Sequence, residues 1–155
     1  MPDCGSGNGS SILPFRPEIK GGKMKRLNIL FVCKYNRFRS RIAEAYFKKI
    51  NKNKRIKAAS AGIFKGDPVS KEIISIGKKM GLKIKGVPRA INIKLLKWQN
   101  MVILVADNVP KKLFSFNKKR GKELIVWKIK DEIRSIPLII KKVNELNKDL
   151  EDESI

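Results

Sequence analysis

The sequence predicts an α/β domain in which a four-stranded parallel sheet is covered by helices on both faces, a three-layer α/β/α arrangement. Four apolar runs of strand length alternate with segments of helical periodicity, as expected for parallel strands joined by crossover helices. The runs are continuous rather than alternating with polar residues, which is typical of strands buried on both faces. The length of 155 residues suits a single core.

The elements follow one another in a regular order. The strands are predicted over LNILFVC (27–33), IKAASAG (56–62), NMVILVA (100–106) and ELIVWKI (123–129). The helices are predicted over 39–50, 69–81, 94–98, 109–116 and 131–150. In the second of these, Ile73, Ile76 and Met80 share one face, and Gly81 is placed to end the helix. In the last, Pro137 fits the first turns or marks a kink.

The first 23 residues differ from the rest in composition, with five of the eleven glycines and three of the seven prolines. Such a segment buries little apolar surface, so residues 1–23 are predicted to form a flexible leader and residues 24–155 a single domain. Met24 directly precedes the first strand and is a candidate natural start, which would make the leader non-native. Cys4 lies in this leader and is interpreted as incidental.

The composition excludes several classes of protein. The chain has no histidine, which excludes Ser-His-Asp and Cys-His catalysis and most zinc sites. Its longest apolar runs are about six residues, whereas roughly 20 are needed to span a bilayer. We see no signal peptide and expect no association with a membrane. The expected location is cytoplasmic, with reduced thiols.

The net charge of +22 is the most unusual property of the chain, and lysine supplies 27 of the 36 basic residues. Such a charge favours polyanionic partners: nucleic acid, an acidic protein, or a phosphorylated substrate such as a phosphorylated protein or a small phosphoester. It predicts at most weak, salt-sensitive binding to nucleic acid. The alternative is a generally basic, solvated surface without a specific partner, because the lysines are spread along the chain. The sequence gives no prediction of the oligomeric state.

Cys33 stands at the carboxyl end of the first predicted strand, the position at which parallel sheets bind ligands. The loop CKYNRFR would curl so that successive N–H groups bind an anion beside the N-terminus of the next helix. Arg39 would add a planar fork that matches phosphate oxygens. Because the same features stabilise a thiolate, Cys33 is predicted to be a nucleophile that needs no histidine. The alternative is a core cysteine that closes a buried strand.

Two further residues of this segment have specific expected roles. The Ser40 hydroxyl is placed to donate to the Cys33 thiolate, and Asn36 tolerates left-handed backbone angles and can brace the loop. The residues predicted to bind the phosphate group beside Arg39 are Lys34, Tyr35, Asn36, Arg37, Phe38 and Ser40.

The segment ILFVCKYNRFRSRIAEAYF resembles the active-site segment of the low-molecular-weight protein tyrosine phosphatases, a family that includes arsenate reductase relatives. The shared features are the strand, IAEA in the helix, and the residues Cys33, Asn36, Arg39 and Ser40. The stretches SAG (60–62) and ILVADN (103–108) are similar to further landmarks of the family, in the same order. The resemblance covers about residues 26–147.

Three positions of the loop depart from the family's pattern. Tyr35 stands where the family has glycine, Phe38 where it has a second cysteine, and Arg41 where it has proline. The first matters most, because glycine adopts unusual backbone angles at little cost.

The resemblance implies a carboxylic acid just after the fourth strand, normally in an Asp-Pro pair followed by aromatic residues. Asp131 stands there, with Glu132 in place of proline. The rival is Asp67, in the only Asp-Pro pair of the chain, but the family has a substrate-rim loop at that place, so Asp131 is preferred. Asp131 is also placed to cap the last helix, which is compatible with acid catalysis. Asp107 is interpreted as structural.

The residues around this acid bear on the substrate. In the family, aromatic side chains near the acid form the slot for a phosphotyrosine ring, whereas Glu132, Ile133 and Arg134 follow Asp131 here. Tyr35 and Phe64 are the only aromatic residues predicted near the mouth. The sequence therefore does not favour phosphotyrosine over another phosphoester.

Together these features predict a cysteine-dependent phosphatase that hydrolyses a phosphomonoester through a phosphocysteine intermediate. Cys33 is the expected nucleophile, Arg39 stabilises the phosphoryl oxygens and Asp131 is the acid, with no metal or cofactor required. Two alternatives stay open. An arsenate reductase would need an external thiol, because the domain has only Cys33 and a thioredoxin-linked relay needs further cysteines. The third candidate is a non-catalytic module that binds phosphate groups or nucleic acid.

Overall fold

Four parallel strands form the central sheet. The computed structural model describes residues 19–20, 23–24, 26–84 and 86–153. The strands are β1 (Leu27–Cys33), β2 (Ile56–Gly62), β3 (Met101–Val105) and β4 (Glu123–Trp127), in the spatial order β2-β1-β3-β4. All three ladders are parallel. The predicted four-stranded parallel sheet is therefore confirmed.

The order of the strands determines where a ligand can bind. The chain leaves β1 for β2 on one side, and the next strand, β3, lies on the other side of β1. A crevice opens at such a switch point, beyond the carboxyl ends of the two strands that diverge. Cys33 ends β1, and Asp107 and Asn108 follow β3 at this same edge.

Helices cover both faces of the sheet. They are α1 (Arg39–Ile50), α2 (Lys71–Lys79), α3 (Ile93–Trp98), α4 (Phe116–Lys119) and α5 (Ile136–Glu153), with 3-10 turns at Lys111–Phe114 and Ile133–Ser135. Side chains of β1 alternate between two apolar clusters, one shared with α1, α2 and α5 and the other with α3 and the Lys111–Phe114 turn. Burial on both faces explains why β1 is apolar throughout, and the three-layer prediction is confirmed.

The closing helix begins later than predicted. The predicted start was residue 131, whereas a 3-10 turn occupies Ile133–Ser135 and the α-helix begins at Ile136. Pro137 is the second residue of α5, where its missing N–H has no helical partner to lose. Asp131 thus lies in the loop before the turn and does not cap α5, so the capping role was wrong.

The second helix agrees with its predicted boundaries to within two residues. Ser70 caps α2, its hydroxyl accepting from the Ile73 N–H at 3.2 Å. Gly81, predicted to end the helix, has φ 73°, a left-handed angle that glycine adopts without the clash a side chain would cause.

Most of the predicted leader, including Cys4, lies outside the described residues. Within residues 1–23 only Ile19, Lys20 and Lys23 are described, and Ile19–Lys20 pairs with Lys23–Met24 in a short antiparallel ladder. None of the helices that the structure describes is both long enough and apolar enough to span a bilayer.

Candidate active site

The loop from Cys33 to Phe38 lies against the end of β2. The carbonyls of Cys33, Lys34 and Tyr35 accept hydrogen bonds from the amides of Ile63, Phe64 and Gly66, at 3.1, 2.9 and 3.2 Å. Because these carbonyls point away from the loop centre, the contacts support the predicted inward orientation of the loop N–H groups.

Gly62 makes this close packing possible. A Cβ atom at Gly62 would lie 2.7 Å from the Asn36 amide nitrogen and 2.6 Å from the Phe64 carbonyl oxygen. Real Cβ atoms do not approach backbone so closely, so any side chain here would push the Cys33 loop away from β2. The SAG landmark at residues 60–62 therefore has a direct steric reason.

Asn36 gives the loop its curvature. It is the only non-glycine among the described residues with positive φ, at 56°, and it is fully buried. Its Oδ1 accepts from the Arg89 N–H at 3.0 Å, and because an N–H can only donate, this contact fixes the orientation of the amide. Its Nδ2 donates to Ser60 Oγ at 3.0 Å, and the Ser60 hydroxyl in turn donates to Glu44 Oε1 at 2.5 Å. The predicted bracing role agrees with this geometry.

The same amide orients the hydroxyl beside the cysteine. The second Nδ2 hydrogen of Asn36 goes to Ser40 Oγ at 2.9 Å, and Ser40 Oγ lies 3.0 Å from Cys33 Sγ. Since Ser40 accepts from Asn36, its own hydrogen is available to the sulfur, and a thiolate can only accept. The Ser40 hydroxyl is therefore free to donate to the Cys33 sulfur.

Arg39 is buried, with only 2% of its surface exposed. Its Nη1 donates to the Ile129 carbonyl at 2.9 Å and to Asp107 Oδ1 at 3.4 Å, and its Nη2 donates to Asn108 Oδ1 at 3.0 Å. Its Nε is buried and has no hydrogen-bond partner in the described part of the chain. An unpaired buried donor of this kind is costly unless a ligand supplies the acceptor.

A cavity of about 140 Å³ opens in front of these groups. Its wall contains Cys33, Arg39 and Asp131, together with Tyr35, Arg37, Phe38, Ser70 and Ile73. The structure thus brings the three predicted catalytic residues to one small cavity at the switch point of the sheet. Asn36 and Ser40 do not line the described cavity; both are fully buried and hydrogen-bond to each other.

The two candidate acids are placed differently. Asp131 lies on the cavity wall with Oδ1 3.7 Å from Arg39 Nε. Asp67 is exposed and is not part of the described wall, and its backbone carbonyl accepts from Arg37 Nε at 2.9 Å. Of the two candidate acids, only Asp131 is among the residues that line the described cavity. Asp107, interpreted as structural, contacts the Arg39 guanidinium.

Tyr35 occupies the usual glycine position without a left-handed backbone. The unusual angle falls on its neighbour Asn36, so the aromatic residue is sterically accommodated. Tyr35 is 41% exposed and lines the cavity, and the centroid of its ring lies 6.1 Å from that of Phe64. Lys34 is not among the residues of the described cavity wall, and its Nζ lies over the Tyr35 ring, 5.4 Å from the centroid.

Several residues of the site were not predicted from the sequence. Asn108 fixes Arg39, Ser70 lines the cavity, and Ser60 with Glu44 orients Asn36. Asn108 and Ser60 fall within the ILVADN and SAG stretches, which were noted without a role for these side chains. The contacts of Ser60 and Glu44 join residues far apart in sequence, which local patterns do not reveal.

Comparison with protein-family models matches residues 28–135 to the low molecular weight phosphotyrosine protein phosphatase family. The matched region is well over half of the chain and contains Cys33, Arg39 and Asp131. A search of curated proteins finds no significant match.

Solved structures with the same fold include enzymes of different activities. They include the Corynebacterium glutamicum thioredoxin-dependent arsenate reductase (TM-score 0.64, 21% identity; 83% of this chain and 63% of that one covered). The YwlE arginine phosphatase of Geobacillus stearothermophilus is another (TM-score 0.70, 18% identity; 82% of this chain and 94% of that one covered). A low molecular weight protein tyrosine phosphatase of T. tengcongensis is a third (TM-score 0.61, 25% identity; 82% of this chain and 96% of that one covered). This chain spans less than two thirds of the length of the first of these proteins.

Proposed function

Because this chain belongs to the low molecular weight phosphotyrosine protein phosphatase family, we propose that it hydrolyses a phosphomonoester through a phosphocysteine intermediate. Cys33 is the proposed nucleophile, Arg39 the group that stabilises the phosphoryl oxygens, and Asp131 the general acid. The reaction uses only these side chains and the loop amides.

One observation carries this proposal. Arg39 is buried and lines the same cavity as Cys33 and Asp131. Its Nε makes no hydrogen bond within the described residues, and the Asp131 Oδ1 atom at 3.7 Å is too far away to accept one. A bound phosphate would give this donor an acceptor while placing its phosphorus near Cys33 Sγ. If Cys33 only ended a buried strand, nothing would require a buried arginine with an unused hydrogen-bond donor in the same cavity.

The proposed reaction has two steps. In the first, the Cys33 thiolate attacks phosphorus, the phosphorus–oxygen bond to the leaving group breaks, and Asp131 gives its proton to the departing oxygen. In the second, Asp131 takes a proton from water, the resulting oxygen attacks phosphorus and the phosphorus–sulfur bond breaks. Inorganic phosphate leaves and the thiolate is restored. Arg39 and the loop amides stabilise the equatorial oxygens in both steps.

The acid is tested by exchanging each candidate aspartate. We expect Asp131→Ala to lower turnover of phenyl phosphate by about 10²-fold or more, the usual contribution of a general acid. Turnover of p-nitrophenyl phosphate should fall less, because p-nitrophenolate leaves readily without a proton. The measurement is kcat for both substrates with each variant.

Asp67→Ala is the matched control, since it removes the same chemical group from an exposed position outside the described cavity wall. This variant should retain activity to within a factor of about two, as is usual for an exposed substitution. If Asp67→Ala lost more activity on phenyl phosphate than Asp131→Ala, the acid would be Asp67.

The residues around the cavity mouth indicate the part of the substrate that carries the phosphate group less precisely than the phosphate group itself. Tyr35 and Phe64 offer aromatic surface at the mouth, and Arg37 adds positive charge to the cavity wall. These features support a phosphorylated protein, or a small phosphoester with further acidic groups, over a phosphoester whose leaving group is uncharged. The thiolate requires a compartment that keeps thiols reduced, which supports a cytoplasmic location.

An arsenate reductase is the second candidate, because one of the similar structures has that activity. Arsenate is a tetrahedral oxyanion like phosphate, so the same cavity suits it. Cys33 is the only cysteine in the described residues, and such a reaction would consume an external thiol. Arsenate-dependent oxidation of glutathione, measured on the protein that hydrolyses p-nitrophenyl phosphate, separates the two activities.

A further inference from the structure

A second cavity, of about 290 Å³, lies behind the Cys33 loop, and we call it the rear pocket. Its polar wall consists of Arg41, Glu44, Lys48, Ser60, Lys83 and Arg89. Four cationic groups and one carboxylate leave this wall with a formal charge of +3 (4 − 1). The volume is near the lower end for small-molecule sites, about 300 Å³.

The positive charges of the rear pocket are only partly compensated. Lys48 Nζ pairs with Glu44 Oε2 at 2.6 Å, which uses the one carboxylate of the wall. Arg41 and Arg89 donate to backbone carbonyls instead, Arg41 to Asn36 and Val87 and Arg89 to Ser60. Burial lowers the pKa of Arg41, Glu44 opposes this effect and the charge of Arg89 adds to it. Like charges held this close favour a bound counter-ion.

The rear pocket is also connected to the nucleophile's loop. Ser60 lines the pocket and accepts from Asn36 Nδ2 at 3.0 Å, and Arg41 Nε donates to the Asn36 carbonyl at 3.2 Å. Asn36 is the residue with positive φ that also holds Ser40 beside Cys33. A ligand that moves Arg41 or Ser60 would therefore act on the geometry of the loop.

We propose that the rear pocket binds a phosphate-type oxyanion, either inorganic phosphate or the phosphate group of a small organic molecule. Arginine forks and lysine ammonium groups are suited to such an anion, and Ile84 with Val87 provides an apolar wall for an organic part. An anion bound in the rear pocket changes the geometry of the Cys33 loop through Asn36. This effect on turnover rests on the proposed function, whereas the binding does not.

The test of binding follows the arginine Nε–H signals by NMR while inorganic phosphate, or glycerol phosphate in a parallel titration, is added. Arg39 reports on the catalytic cavity and Arg89 on the rear pocket. We expect two separate midpoints in the wild-type protein. Lys83→Glu should weaken the Arg89 midpoint by about tenfold through reversal of one nearby charge and leave the Arg39 midpoint within about twofold. If the Arg89 signal reaches its midpoint at a lower concentration of glycerol phosphate than of inorganic phosphate, the ligand is the phosphate group of an organic molecule. If the two midpoint concentrations are equal, the ligand is inorganic phosphate.

Lys141→Glu is the matched control, because it makes the same charge change on an exposed face of α5, away from both cavities. An Arg89 signal that does not respond, or that responds equally in the Lys83 and Lys141 variants, would overturn the site. For the transmitted effect, phosphate should inhibit the wild-type enzyme in a mixed manner and the Lys83→Glu enzyme competitively. Competitive inhibition in both would overturn the coupling. Loss of response at Arg39 alone would count against the proposed function and not against the rear pocket.

Discussion

Replacement of Cys33 by serine should lower turnover of p-nitrophenyl phosphate by at least about 10³-fold, because a serine hydroxyl without a neighbouring base is a far weaker nucleophile than a thiolate. Serine is nearly the same size, and Ser40 can hydrogen-bond to it as it does to the sulfur. The loop should therefore keep its shape, and the variant should still bind phosphate. The measurement is kcat in the presence of a chelator.

Cys4→Ser is the matched control for this change. Cys4 lies in the segment predicted to be a leader, and its replacement should leave turnover unchanged. Full activity of Cys33→Ser would contradict the mechanism. A folded wild-type protein that binds phosphate but hydrolyses no ester would favour the non-catalytic alternative.

The second large effect is expected for Arg39→Lys, which keeps the charge and loses the planar fork. The lysine cannot bind the Ile129 carbonyl, Asn108 and a phosphate together as the guanidinium can. We expect kcat/KM to fall by about 10²- to 10³-fold, the range seen when a preorganised donor to a transition state is removed. Circular dichroism and the thermal midpoint show how much of the loss reflects the altered buried contacts.

Arg134→Lys makes the same chemical change at a side chain that is 89% exposed, and it should leave activity unchanged. If Arg39→Lys retained the wild-type kcat/KM, the buried guanidinium would have only a structural role. The unpaired Nε would then need another explanation.

The backbone of the site could be predicted from the sequence because its signals are local. The apolar run that ends at Cys33 and the apolar run that ends at Gly62 gave strand boundaries that agree with β1 and β2. The periodic pattern between them gave the boundaries of α1. Parallel strands and the position of Cys33 at a carboxyl end were then enough to place the candidate site at the edge of the sheet.

What could not be predicted depends on contacts between distant residues. Asn36 was expected to brace the loop, but the residues that hold its side-chain amide, Arg89 and Ser60, were not predicted. Partners 53 and 24 residues away in the chain leave no mark on the local pattern. The late start of α5 was missed for a local reason, since Pro137 was read as tolerable inside the helix rather than as the residue that sets its beginning.

The most direct test of the account is to trap the covalent intermediate. The protein is denatured during steady turnover of p-nitrophenyl phosphate, and its peptides are analysed by mass spectrometry. We predict a phosphoryl group on Cys33 of the wild-type protein that persists in Cys4→Ser, whereas Cys33→Ala carries no phosphoryl group at residue 33. Sustained turnover with Cys33 unmodified, or with the phosphoryl group on another residue, would contradict the proposal that Cys33 is the nucleophile.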